Sequence, residues 1–361
     1  MDYKGRLRRI RQSLDENKLD SLLISHLTNI RYLCGFTGSA GALLITESQC
    51  VLLTDGRYKT QAKSEVRNAK IVIARKPPLM AAAEWLKARG SRKKQTIGIE
   101  AQHMTVAARS QFATGLPLSM RIKEAAPLVE SARMIKDADE IKLIREAVNL
   151  GAGLFQTALD TLRPGTKEVE VAAKMEYAAR TLGAEGMSFE TIIAAGARSA
   201  LPHGRASASV VPPNGFVVCD FGVILAGYCS DMTRTVFVGR PTSEAHGFYQ
   251  AVRKAQQAAV AAVEPGVTVS AVDEAARKVL RSNGLGRFFT HSTGHGVGLE
   301  IHEAPRIAAG QDEVLRPGMV ITIEPGAYVP GKWGVRIEDM VVVTEQGADV
   351  LTPTSKELIS I

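Results

Sequence analysis

Residues 137–361 repeat themselves at an offset of 101, and this limits the folds open to the chain more than any other feature. Pro164-Gly165 matches Pro265-Gly266, Val171 matches Val272, Arg180 matches Arg281 and Gly183 matches Gly284. Each copy reads as a helix, a Pro-Gly turn, a second helix and then strands. The natural arrangement of two such copies is a pair of similar halves closing face to face.

The chemistry after each copy follows the same plan. In the first half Val217-Val218-Cys219-Asp220 leads through a glycine-containing turn to a strand-like run at 228–238 that carries Asp231. In the second, a run at 319–324 ends in Glu324, and after the turn at Pro330-Gly331 a run at 334–342 carries Glu338. Each half thus supplies a hairpin with one carboxylate per strand, and closure gathers four acids around one centre. Four buried carboxylates around a single dication would leave about two negative charges uncompensated in low dielectric, whereas two dications balance them.

Each residue also has a plainer reading. Asp220 can cap a turn before a glycine, Asp231 can pair with Arg234, and Glu324 can be an ordinary turn residue before Pro325-Gly326. Strand alternation puts Arg336 and Glu338 on one face and Ile337 on the other. The ordered set points to metal more strongly than any member does. Three of the chain's seven histidines, His291, His295 and His302, fall within twelve positions of a glycine-rich segment, and His203 sits in a Leu-Pro-His-Gly loop. Glycines there let the backbone turn tightly and come close to an ion.

At 361 residues, with 45% hydrophobic and 23% charged side chains, the chain has room for two domains. Residues 1–128 alternate helical stretches (near 4–17, 57–66, 79–89 and 105–113) with strand-like runs at 21–25, 41–46, 50–54, 71–74 and 97–100, an α/β pattern. A linker is expected at 129–136, and Asp137 with Glu140 signals the N-terminus of the first helix of a catalytic domain over 137–361. The net charge of +8 is all N-terminal: residues 1–128 hold 22 Lys and Arg against 10 Asp and Glu, while 129–361 hold 23 against 27. The N-terminal charges are scattered and lack interleaved aromatics, so a nucleic-acid partner is not expected. With neither a signal-peptide pattern nor an apolar run of membrane length, the chain is expected in the cytoplasm. Cys34, Cys50, Cys219 and Cys229 show no paired spacing and are expected as buried thiols.

Taken together, Leu-Pro-His203-Gly, Asp220 with Asp231, His291-Ser-Thr-Gly-His295-Gly, Ile-Glu324-Pro-Gly and Val-Arg336-Ile-Glu338-Asp resemble the proline-specific metallopeptidases of the aminopeptidase P and prolidase group. The stretches beginning at Gly35 and Thr54 are similar to the creatinase-type N-terminal domain of that group. The resemblance implies an α/β two-domain protein with a pita-bread catalytic domain. It also implies metal ligation by Asp220, Asp231, His295, Glu324 and Glu338, with Asp231 and Glu338 bridging. Creatinase shares the fold without an intact ligand set. Methionine aminopeptidases share the five ligands, but lack the N-terminal domain and counterparts of His291 and Arg336.

On this footing the expected enzyme is an exopeptidase releasing the residue before a proline in second position, through attack of a metal-bridging hydroxide on the scissile carbonyl. Glu324 would carry the proton, His302 would steady the oxyanion, His291 would line the proline subsite and His203 would donate to the substrate backbone. Arg336 would order the carboxylates, its plainer role being a salt bridge to Asp231 or Glu338. Oxygen-rich ligation favours Mn²⁺, with Co²⁺ or Zn²⁺ admitted by the same logic. A homodimer is expected by resemblance. The alternatives are a prolidase restricted to Xaa-Pro dipeptides, an enzyme like methionine aminopeptidase, and a catalytically silent binding module.

Overall fold

A computed structural model describes residues 1–89 and 93–361, which form two compact units, Met1–Arg133 and Met134–Ile361.

In the first unit a mixed six-stranded sheet runs in the order Lys70–Ala74, Cys50–Asp55, Ala42–Thr46, Ser21–Ile24, Gln95–Glu100, Met120–Ala125. Ala42–Thr46 pairs antiparallel with both its neighbours, with Cys50–Asp55 through a hairpin and with Ser21–Ile24 across the helix Leu27–Cys34, and the remaining pairs are parallel. The inner strands are nearly all Leu, Val and Ile because they are buried on both faces: Leu23, Leu44, Val51, Leu53, Ile97 and Ile99 share a core with Ala81–Ala83 and Phe112 from two helices. Local signals set the helix starts, with Asp2 accepting from Gly5 N at 2.8 Å and Thr105 from Ala108 N at 3.2 Å. The edge strand Met120–Ala125 escapes the sequence reading because its charged, half-exposed residues do not mark it as apolar. The short helix Leu128–Arg133, with Val129 buried, occupies most of the stretch expected as a linker.

The second unit is the duplicated one. Helices Ala138–Thr161 and Glu168–Thr181 in the first half answer Ser243–Ala261 and Val269–Ser282 in the second. The correspondence extends to individual bonds, at an offset of 101 around the Pro-Gly turns and of 104 for the residues they bond to. Gly165 and Gly266 have φ of +86° and +87°. Their N–H groups donate to Val211 O and Leu315 O, both at 2.9 Å, and the bridges Lys167–Val210 and Thr268–Val314 follow. Asp137 and Glu140 form a reciprocal capping box at the start of the first helix, as their spacing predicts.

The first half contributes a sheet ordered Met232–Val238, Gly215–Phe221, Ile192–Ala195, and the second one ordered Glu303–Ile307, Gly294–Gly296, Val320–Ile323, Asp339–Thr344, Gly347–Val350. The halves are stitched where Glu338 N donates to Thr233 O at 3.1 Å and Thr235 Oγ1 to Arg336 O at 2.8 Å. Two expected strands differ: the run at 228–238 is split into Tyr228–Cys229 and Met232–Val238, broken at Ser230 and Asp231, and the run at 334–342 into Trp333–Arg336 and Asp339–Thr344, broken at Ile337 and Glu338. Leaving the ladder there lets Glu338 N reach Thr233 on the other half. Among the described residues no helix is long and apolar enough to cross a membrane, and the four cysteines are free and buried.

Candidate metal centre

Asp220 lies in the strand Gly215–Phe221 and pairs in register with Thr233, while Asp231 sits one residue before the partner strand Met232–Val238. Glu324 follows Val320–Ile323, and His295 is the middle residue of Gly294–Gly296. Asp231 and Glu324, just outside their strands, are free of the ladder's alternation, whereas Asp220 stays in register between Thr233 and Ile192. Glycine beside His295 is a steric requirement, because a Cβ on Gly294 would stand 1.9 Å from Thr322 O.

All nine residues singled out from the sequence, His203, Asp220, Asp231, His291, His295, His302, Glu324, Arg336 and Glu338, line one cavity of about 730 Å³. At its floor, donor atoms of Asp231, His295 and Glu338 lie within 4.8 Å of one another. His295 Nε2 is 3.6 Å from Asp231 Oδ2 and 3.5 Å from Glu324 Oε1. Its Nδ1 is 3.0 Å from Gly296 O, which can only accept, so Nδ1 carries the proton and the Nε2 lone pair faces the carboxylates. Thr233 Oγ1 donates to Glu338 Oε2 at 2.7 Å, whereas Glu338 Oε1, also buried, has no hydrogen-bond partner.

The electrostatics mark the cluster as short of positive charge. Burial pushes Glu324 up to about 8. Burial, followed by the repulsion of neighbouring carboxylates, raises Asp231 and Glu338 well above the usual carboxylate range. Burial also lowers His295 to about 4, keeping it neutral and fit to ligate. An orphaned buried carboxylate oxygen, a neutral imidazole with its lone pair turned inward and several acids held together form a donor set that fits divalent cations.

The plainer readings do not hold for Asp231 or Arg336. Arg234 pairs with Asp339 at 2.7 Å instead of Asp231. Arg336 pairs with Asp220 at 2.5 Å instead of Asp231 or Glu338. Arg336 Nη1 also donates to Tyr328 Oη at 2.7 Å, and Tyr328 Oη stands 2.9 Å from His291 Nε2. His291 Nδ1 faces Ser292 O at 2.8 Å, so both nitrogens of this imidazole are engaged, and burial lowers it to about 4. Tyr328 was missed from the sequence, where nothing in Pro-Gly-Ala-Tyr sets it apart. Arg306, exposed in the cavity wall, and Arg205, 3.0 Å from Glu190, were missed because lone surface arginines carry no signal.

Known proteins resemble this chain over nearly its whole length. The family model described as metallopeptidase family M24 matches residues 142–345, and that of the creatinase/prolidase N-terminal domain matches residues 6–135. The chain is 38% identical to an Xaa-Pro dipeptidase of Pyrococcus furiosus across 99% of its own length and 100% of that protein's. A solved Xaa-Pro dipeptidase from Bacillus anthracis superposes with a TM-score of 0.95 at 39% identity, covering 100% of both chains. A solved X-Pro aminopeptidase from Thermotoga maritima gives 0.88 at 36% identity over 95% of this chain and 98% of that one.

Proposed function

Since the chain belongs to metallopeptidase family M24, carrying the creatinase/prolidase N-terminal domain, we propose that it is an Xaa-Pro dipeptidase with a dinuclear metal centre. The observation that carries the reading is the cavity in which the four candidate ligand carboxylates and His295 meet three further histidines and three arginines. Relatives named as Xaa-Pro dipeptidases at 37–38% identity across nearly the whole chain favour this reading over the aminopeptidase expected from the sequence. The likeness to an X-Pro aminopeptidase structure keeps longer peptides as the second reading.

Asp220, Asp231, His295, Glu324 and Glu338 would hold the ions, with Mn²⁺ proposed from the oxygen-rich donor set. Bound there, divalent cations supply Lewis-acid polarisation of the scissile carbonyl and acidify water. The chain's own residues do the rest. The bond before proline is a tertiary amide whose nitrogen must gain a proton to leave. Glu324, a half-buried carboxyl lining the cavity, moves that proton. His302, at the rim with its ring 4.4 Å from that of His295, and His203 donate to substrate oxygens. His291 stays neutral, and Arg336 and Tyr328 fix its orientation. Arg306 offers a cation to the carboxylate that ends a dipeptide, a group that an internal proline lacks.

A homodimer in the cytoplasm completes the proposal; the four free thiols suit a reducing compartment. The test compares an Xaa-Pro dipeptide with a pentapeptide bearing proline second, with and without Mn²⁺. The dipeptide should be preferred by about tenfold or more in kcat/KM, and only with metal present. A preference for the pentapeptide would return the assignment to the aminopeptidase.

A further inference from the structure

Two of the seven histidines lie far in sequence from the peptidase cavity, in the first unit, and they are not scattered. His26 precedes the helix Leu27–Cys34, His103 follows the strand Gln95–Glu100, and Glu130 lies on Leu128–Arg133. We propose that His26, His103 and Glu130 form a zinc site separate from the catalytic centre, joining these three elements.

Donor atoms of the three side chains fall within 4.8 Å of one another. The imidazoles are stacked with centroids 3.7 Å apart and planes 3° from parallel, and His103 Nε2 is 2.8 Å from Glu130 Oε1. Tetrahedral zinc with bonds near 2.0–2.1 Å needs donors about 3.4 Å apart, so modest rotation of the two rings closes the set around one ion. Coordination takes the place of the His103–Glu130 hydrogen bond, and the imidazole proton moves to Nδ1. Two imidazoles and one carboxylate, with solvent as fourth ligand, match the donor preference of Zn²⁺ and are poor for Mg²⁺ or Ca²⁺.

The charge balance supports a cation here independently. Asn29 Nδ2 donates both to Glu130 Oε1 at 2.6 Å and to buried Glu100 at 2.7 Å, so two carboxylates meet on one amide. Glu100 is otherwise held by Ser25 and by the backbone N–H of His26, at 2.6 and 2.8 Å for the two N–H groups. Among the described residues neither carboxylate pairs with a lysine or arginine. A dication would neutralise both. A cavity of about 20 Å³, room for one water or ion, borders Glu100, His103 and Glu130. The side chains of His103 and Glu130 are 25% and 21% exposed, which leaves a path for entry.

The experiment uses the full-length enzyme, dialysed to equilibrium against excess Zn²⁺ and then assayed for bound metal per chain, beside the variants His103→Ala and Glu130→Gln. The wild type should hold one zinc ion per chain more than either variant, and zinc should raise its Tm by a few degrees more than theirs. Peptidase activity should be equal in all three, which also shows that the variants fold. Equal zinc content in wild type and His103→Ala, or a zinc-dependent Tm shift that survives both substitutions, would overturn the site. Neither readout depends on the substrate assigned to the peptidase cavity.

Discussion

The guanidinium of Arg336 lies 2.5 Å from Asp220 Oδ2, binding the second half of the duplicated unit to the first at the metal cavity. The same group donates to Tyr328 Oη, Thr233 Oγ1 and Pro202 O, so one buried arginine fixes a carboxylate, the phenol that faces His291 and the loop that bears His203. Replacing Arg336 with Met should leave Asp220 buried without its cation. The loss should be about 3–5 kcal/mol of stability, together with most of the activity. Thermal unfolding and kcat/KM of the variant check this; an unchanged Tm would mean that Asp220 does not depend on Arg336.

Tyr328→Phe removes one oxygen and leaves the fold intact. His291 Nε2 loses its partner and Arg336 one acceptor. A stability loss of about 1–3 kcal/mol is expected. Activity should fall mainly through kcat, because the orientation of the imidazole is disturbed while the metal donors are untouched. A full complement of bound metal alongside the reduced kcat separates this from collapse of the site.

Stripping the metal should make stability depend on pH in a definite direction. Burial holds Glu324 at about 8, against 4.5 for an ordinary glutamate, and Asp231 and Glu338 shift the same way. Folded, these acids bind more protons than unfolded, so the stability they contribute is lost as pH rises through about 8, whereas His291 and His295, lowered to about 4, bind fewer protons folded and oppose that trend below about 6.5. Above that point the acids decide, so unfolding in a chelator at pH 6.5, 7 and 8 should show Tm falling across the series, and added Mn²⁺ should abolish the fall. A chelated protein whose Tm is flat from pH 6.5 to 8 would contradict the buried carboxylate cluster.

Arg306→Ala tests how a dipeptide is read. The exposed guanidinium in the cavity wall should matter for a free proline carboxylate and little for its amide. KM for an Xaa-Pro dipeptide should rise about twentyfold, toward the lower end of the roughly 1.5–3 kcal/mol typical of a charged hydrogen bond. KM for the corresponding Xaa-Pro amide should stay within about twofold. Equal changes for the two would place the carboxylate elsewhere.

Away from the metal, Asp339 is buried and accepts from Arg234 Nη2 at 2.7 Å, Gln256 Nε2 at 2.9 Å and Lys356 Nζ at 2.6 Å. Arg234 also donates to Thr354 O and Ser355 O, which ties down the C-terminal segment. Asp339→Ala should cost about 3–5 kcal/mol, since Arg234 would remain buried without its counter-charge. Chemical denaturation measures it, and a loss below about 1 kcal/mol would show that the network contributes little.

Much of this protein was legible in one dimension. The repeat at an offset of 101 declared the duplicated unit because each copy needs its own Pro-Gly turn with a glycine at positive φ, and that need is local. The candidate metal donors stood out because acids ending apolar strands and a histidine flanked by glycines are costly to place without a ligand. The strand Met120–Ala125 and the break at Glu338 were not visible, because an edge strand need not be apolar and a break depends on what lies across the interface. The sequence by itself determined which side chains can bind cations and in what order they arrive. Only the tertiary structure decided the pairing. Arg336 takes Asp220 across 116 positions, and Arg234 takes Asp339 across 105, leaving Asp231 free to turn to the centre. Such choices depend on distance and burial in three dimensions, and charges so far apart along the chain meet only after both halves have closed.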